Sequence, residues 1–297
     1  MARRGGEAMK GGPGGFDAVK GQDAAVAALR AILFRTGGQG TTLIFGPEGV
    51  GRFLLARCAA ASILGDAALV EAGTHPDLTV LTPDMGIDGA RGALEVLVRR
   101  PLMGPRQVLL VRDFDRFHGD VHHFLLKTLE EPPAGAAVLL VAEEPALLPP
   151  TVISRCRLVR AAPLSDAATA QVLARAGLPA EAAADAEGAP GRGVRQAALG
   201  IAEDVSVLLD ALAGRREDPL GDAEKIVRRR KEEEAPDQRA RLAEVCRVAA
   251  ARLRRGLPET EGALRPVVEA LRSLSSNANP SIVFAGLVIL PWTHQRR

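Results

Sequence analysis

The sequence predicts an α/β fold: a five-stranded parallel sheet covered by helices on both faces, followed by an all-helical C-terminal part. Three observations lead there. Residues 43–57, L-I-F-G-P-E-G-V-G-R-F-L-L-A-R, pass from a short apolar strand through a glycine-rich turn into apolar residues at helical spacing. Apolar runs at 77–82, 108–111, 137–142 and 158–161 then alternate with helical patterns, the arrangement that buries a parallel sheet between helices. Beyond Pro163 the strands cease, and helical periodicity continues to the C-terminus.

Taken in order, F-D-A-V-K-G-Q-D at 16–23 leads into a helix over 24–34 with Val26, Leu29 and Leu33 on one face. Leu43, Ile44 and Phe45 end the first strand, and the next helix runs on from Val50. The second strand spans 77–82, residues 83–88 read as a loop, and a helix over 88–99 carries Ala90, Leu94, Leu97 and Val98 on one side. Residues 108–111 form the third strand. A helix over 121–131 must stop at Pro132-Pro133, because proline disfavours helical backbone in the residue before it. The fourth and fifth strands cover 137–142 and 158–161. Ser165 is placed to cap a helix over 166–176 that Gly177 and Pro179 close, and Gly188-Ala189-Pro190-Gly191 separates two short helices. From Ile201 helical segments break at Gly214, Asp218-Pro219, Ala235-Pro236, 256–258 and 277–280. The expected division is a flexible leader at 1–15, an α/β domain at 16–163, a small helical lid at 164–201 and a helical domain at 202–297.

Composition narrows the functional classes. An apolar content of 47% supports a substantial core, and 3% aromatic residues with no Tyr make that core aliphatic. A net charge of +2 is too near neutral to argue nucleic-acid binding from charge alone. Cys58, Cys156 and Cys246 lie far apart, so neither a disulfide framework nor a zinc site is indicated. No run approaches the length of a membrane span. The basic N-terminus lacks the apolar core of a signal peptide, and a cytoplasmic location is expected. The mixed run K-I-V-R-R-R-K-E-E-E at 225–234 reads as a solvated helix face.

Strand, glycine turn and helix are the setting of a P-loop, whose backbone N–H groups and helix N-terminus face a phosphate. The complete motif is G-x-x-x-x-G-K-[ST], with Lys on the terminal phosphates and the hydroxyl on Mg²⁺. Here Gly46, Gly49 and Gly51 remain, but the Lys position is Arg52 and the hydroxyl position is Phe53. Arg is a wide planar fork, a poor replacement for a compact ammonium, and Phe offers no oxygen to a hard cation. A metal-holding Asp is expected at the tip of the third strand, and that position is Arg112. Asp113 and Asp115 are displaced from the strand end and read as loop charges. The expectation is an NTPase fold without hydrolysis. Nucleotide binding through Gly46, Gly49, Gly51 and Arg52 stays open.

Several stretches together carry a family resemblance. They are F-D-A-V-K-G-Q-D, the altered P-loop, A-G-T-H-P-D at 72–77, L-L-K-T-L-E-E-P-P at 125–133, L-P-P-T-V-I-S-R-C at 148–156 and the helical tail. In these the chain resembles the delta-prime family of subunits of the bacterial DNA polymerase III clamp loader, within the AAA+ proteins. The resemblance covers nearly the whole chain from Phe16. It implies an AAA+ domain, a lid, and a helical collar through which gamma or tau, delta and this type of subunit form a five-membered ring. Such a ring loads the sliding clamp onto primed DNA. Within it the resemblance implies a non-hydrolysing stator that presents the S-R-C arginine to a neighbour's ATP site. Ser154-Arg155-Cys156 match that motif, so Arg155 takes the finger's role; an Arg paired with a local carboxylate is the structural alternative.

The departures from the family pattern are specific. Val141-Ala142-Glu143 stands where a polar sensor residue follows the fourth strand, and Gly191 stands at a sensor arginine position, with Arg192 and Arg195 nearby. Many relatives carry a four-Cys zinc module before the G-T-H-P-D stretch. Residues 59–72 hold no Cys, so no zinc is expected. His75, His118, His122 and His123 do not replace it, since adjacent helical residues such as His122 and His123 face different sides. Residues 276–290 resemble the family's last collar helix. The competing reading is an active gamma- or tau-type ATPase, which would call for Lys at position 52, Thr at 53 and Asp at 112.

Overall fold

The computed structural model describes residues 15–117, 119–228, 235–256, 260–276 and 278–294. The expected leader up to residue 14, His118 and the 229–234 part of the charged run lie outside them. The chain divides into two compact units: one is built on residues up to Val172 together with Gly188–Gly191, the other on Leu173–Glu187 and the chain from Arg192 onward. The segment 164–201 is thus shared between the units.

In the first unit, helix α1 (Asp23–Thr36) precedes strand β1 (Gly40–Phe45), and α2 (Arg52–Leu64) follows it. Then come α3 (Ala67–Ala72), β2 (Leu78–Leu81), α4 (Gly86–Leu97), β3 (Gln107–Val111), α5 (Gly119–Glu130), β4 (Ala136–Ala142), α6 (Pro150–Ile153) and β5 (Arg157–Arg160). All pairings are parallel, and the sheet order is β2-β3-β4-β1-β5. This is the α/β fold of the AAA+ proteins. Alternation along each strand feeds two separate cores. Ile44, Leu110, Leu139 and Val141 face the side covered by α1 and α2, while Leu43, Leu109, Val138 and Leu140 face the side covered by α4 and α5. Burial of each such aliphatic side chain contributes about 1.5–3 kcal/mol. The central strand β4, A-A-V-L-L-V-A, is buried along its whole length, as a strand covered on both faces must be.

Local signals explain the element ends. α5 stops at Glu130, two residues short of Pro132-Pro133. Ser165 Oγ accepts the Ala168 N–H at 3.2 Å, capping α7 (Asp166–Arg175). Three expectations are corrected. α3 is a helix that periodicity did not reveal; Asp66 caps it by accepting the Leu69 N–H at 3.0 Å. Residues 83–88 are a 3₁₀ turn (Pro83–Met85) running directly into α4. Residues 188–191 do not simply separate two helices. After α8 (Ala182–Ala186), Pro190 is the first residue of α9 (Pro190–Leu199), where its missing N–H is no loss.

The second unit continues with α10 (Ala202–Leu212), α11 (Pro219–Arg228), α12 (Ala235–Arg255), α13 (Glu261–Ser275) and α14 (Pro280–His294). Its own core includes Leu208, Ile226, Leu242, Val245, Val267, Leu274 and Phe284. Inside it Arg241 and Asp204, both fully buried, form an ion pair, and Arg241 Nη1 also donates to the Ile226 carbonyl at 3.1 Å. Burial would raise the carboxyl of Asp185 in α8, but hydrogen bonds from Arg252 and Arg255 of α12 outweigh it and hold the group below the usual range. Among the described residues no helix is long and apolar enough to cross a membrane.

Candidate functional site

The P-loop geometry is set by backbone. Gly46 follows β1 at φ 152°, and a Cβ there would lie 2.0 Å from the Ala161 carbonyl oxygen, so only glycine fits beside β5. Gly49 and Gly51 adopt φ 87° and 100°, left-handed conformations that cost a side chain strain. Gln22 Nε2 donates to the Val50 carbonyl at 3.0 Å and the Ala162 carbonyl at 2.7 Å, fastening the turn to the chain after β5. The Gly191 N–H donates to Gly49 O at 2.8 Å, and a Cβ on Gly191 would come within 3.0 Å of Gly49 backbone. Gly191, where the resemblance implies a sensor arginine, therefore packs backbone-to-backbone on the P-loop turn. Arg192 is engaged elsewhere, with Glu187 at 3.2 Å.

Arg52 opens α2 and is only 6% exposed; its Nη1 is buried with no hydrogen-bond partner among the described residues. The next residue, Phe53, packs against the core, and the Arg112 guanidinium lies over its ring, 5.1 Å from the centroid. The two positions that would supply metal ligands thus stack on each other. Arg112 also pairs with Asp113 at 3.2 Å. Asp115 Oδ2 accepts the Glu143 N–H at 2.8 Å. Both loop carboxylates are tied down locally. An aromatic ring under a guanidinium gives a hard divalent cation no oxygen and an adjacent positive charge. These residues do not fit a magnesium nucleotide.

Arg155 sits elsewhere, on the turn from α6 into the edge strand β5, and is exposed. Its Nη1 donates to the Thr151 carbonyl at 2.7 Å, and its Nη2 lies 2.7 Å from Glu130 Oε1. The fold brings the E-E-P-P end of α5 against the S-R-C turn. Glu130 is the residue that sequence reasoning missed; its one signal was its place as the last helical residue before two prolines. Ser154 Oγ donates to Thr151 O at 3.1 Å. Cys156 packs its side chain on the core face beneath, and burial pushes its thiol up to about 12.

Burial likewise raises Cys58 to about 11, with Arg57 offsetting in part, and Cys246 to about 12. All three thiols stay protonated at neutral pH. His75 Nδ1 accepts the Asp77 N–H at 3.1 Å, His122 Nε2 pairs with the Phe114 carbonyl at 2.8 Å, and His123 is exposed. Among the described residues no three His, Cys, Asp or Glu side chains gather as a metal site.

Comparison with known proteins bears on this geometry. A family profile described as DNA polymerase III, delta subunit, matches residues 21–165. DNA polymerase III subunit delta' of Pseudomonas aeruginosa is 34% identical over 200 residues, covering 56% of this chain and 60% of that protein. The Escherichia coli subunit delta' is 40% identical over 100 residues, 32% of this chain and 30% of that one. DNA polymerase III subunit tau of Salmonella typhimurium is 29% identical over 164 residues, covering 50% of this chain and 26% of that protein. The chain therefore spans less than two thirds of the length of the curated relatives it matches. In structure, a DNA polymerase III gamma subunit-related protein from Thermotoga maritima superposes with a TM-score of 0.56 at 16% identity, over 92% of this chain and 100% of that one. Through its AAA+ domain, the chain resembles the delta-prime subunit of the bacterial DNA polymerase III clamp loader.

Proposed function

We propose that this chain is a non-hydrolysing stator subunit of a DNA polymerase III clamp loader. In that role it helps place the sliding clamp on primed DNA and offers Arg155 to the ATP site of a neighbouring subunit. The observation that carries the reading is the Phe53–Arg112 stack, which takes both metal-ligand positions, while Arg155 stands exposed at the sheet edge. The partners in this reading are gamma or tau and delta subunits in a five-membered ring, with the helical C-terminal region as collar. No ATP and no zinc are required in this subunit. Arg155 leaves Glu130 at little cost: an exposed ion pair is worth at most about 1 kcal/mol, and a phosphate is a stronger partner for a guanidinium.

The test is reconstitution with gamma and delta subunits. Arg155→Ala is expected to leave the chain folded and the ring assembled while hydrolysis at one neighbouring site falls, by as much as about a thousandfold at that site. Arg155→Lys should rescue poorly, because a point charge does not span two phosphate oxygens. Unchanged ring ATPase together with a destabilised Arg155→Ala subunit would assign the residue to a structural pair instead. The similarity to tau keeps a second reading in view, an active ATPase. That reading requires magnesium-dependent turnover by the isolated chain, abolished by Gly51→Val; we expect none.

A further inference from the structure

The A-G-T-H-P-D stretch takes no part in the P-loop or in the Arg155 turn, yet its Asp77 accepts four hydrogen bonds. The carboxylate is fully buried. Oδ1 accepts the Leu102 N–H at 2.6 Å and Gln107 Nε2 at 3.1 Å; Oδ2 accepts the N–H groups of Met103 at 2.8 Å and Gly104 at 2.6 Å. Three consecutive backbone amides of the α4–β3 loop are thereby fixed to one side chain. Arg106 Nε donates to the Gly37 carbonyl at 2.6 Å, and a Cβ on Gly104 would sit 3.0 Å from Leu64, so the loop is seated tightly. Pro101 and Pro105 restrict it further.

What this rigid loop displays is apolar and basic. Leu102 is 79% exposed and Met103 64% exposed, with Val98, Arg99 and Arg100 also exposed beside them. Residues 98–106, V-R-R-P-L-M-G-P-R, hold three arginines and no acid. Among the described residues neither Arg99 nor Arg100 makes an ion pair. A buried carboxylate is tolerated only when its lone pairs are satisfied, and here that arrangement holds two large apolar side chains out in water. Folding gains nothing from them there, since each would contribute about 1.5–3 kcal/mol only if buried. A partner meeting an already ordered loop loses less entropy on binding.

We propose that the 98–106 loop is a docking element for a partner protein segment that carries an apolar side chain between carboxylates. Met and Arg are enriched at protein interfaces, and unpaired arginines around an apolar centre complement acidic flanks. The loop has no aromatic ring on which a nucleic-acid base could stack, which favours a protein partner over a single strand.

The experiment titrates the full chain against a fluorescein-labelled peptide Asp-Asp-Asp-Leu-Phe-Asp-Asp and follows anisotropy at about 50 mM and about 300 mM salt. Saturable binding that weakens with salt is expected. Leu102→Ser/Met103→Ser should weaken it at least about tenfold without lowering the melting temperature, and Arg99→Ala/Arg100→Ala should remove most of the salt dependence. No saturation up to about 1 mM peptide overturns the proposal. So does equal binding by the Leu102→Ser/Met103→Ser variant, or displacement of the peptide by an oligo-dT strand. Neither the P-loop nor Arg155 enters these measurements, so their outcome is separate from that of the clamp-loader reading.

Discussion

Arg112 and Phe53 are far apart in sequence and each, taken alone, is only the loss of a metal ligand; the fold makes them partners. A half-exposed guanidinium over an aromatic ring contributes about 0.5–1 kcal/mol. A double-mutant cycle of Phe53→Ala and Arg112→Ala, read from urea denaturation, should return a coupling of that size, and a coupling near zero would show the stack to be incidental. Restoring Arg52→Lys and Phe53→Thr together should yield no magnesium-dependent ATPase while Arg112 remains, because a cation then still faces the metal position. Gly46 is constrained differently. Gly46→Ala would set a Cβ against the Ala161 carbonyl at a left-handed φ, and the expected loss of stability is on the order of 3 kcal/mol in the same assay.

At the scale of elements, the Asp77 clamp makes a pH prediction. Burial alone would raise its carboxyl pKa, but the backbone N–H groups of Leu102, Gly104 and Met103 outweigh it, and the group lies below the ordinary value of 3.8. A folded-state pKa that is depressed gives stability fully present above the unfolded value and lost as pH falls through the lower folded value. The clamp should therefore hold at neutral pH and release below about pH 4. Asp77→Asn, which turns an amide donor toward the loop's own donors, should cost about 1–3 kcal/mol at pH 7. Its deficit against the unaltered chain should shrink in denaturation curves taken at successively lower pH below about 4. A deficit that did not change with pH would mean that Asp77 matters for shape rather than charge. Hydrogen exchange at residues 102–104 reports the same event directly, since those amides are protected only while the carboxylate accepts them.

Across the whole molecule, each unit has its own core, and the helical one contains the buried Arg241–Asp204 pair. Arg241→Ala removes a fully buried ion pair together with the bond to the Ile226 carbonyl, so it should lower the stability of the helical unit by about 3 kcal/mol. Calorimetry should show a separate α/β transition that does not move; a single transition that shifts as a whole would mean that the two units melt cooperatively. The thiols give a second whole-chain readout. With values raised to about 11 or 12 by burial, Cys58, Cys156 and Cys246 should resist alkylation at pH 8 in the folded chain and react fully once it is denatured.

The sequence by itself determined the α/β class, the strands and the two altered ligand positions. Each of these is a local matter: apolar alternation, a glycine turn, and the presence or absence of an oxygen at a given place. Helix α3 escaped because six residues are too few for a period and its cap lies in one aspartate. What only the tertiary structure decided are the meetings between distant segments: Phe53 under Arg112, Arg155 against Glu130, and Asp77 inside the 98–106 loop. The strand order β2-β3-β4-β1-β5 places neighbours in space that are not neighbours in the chain. Spacing along a sequence carries no record of that order, because it is chosen by which apolar faces bury one another.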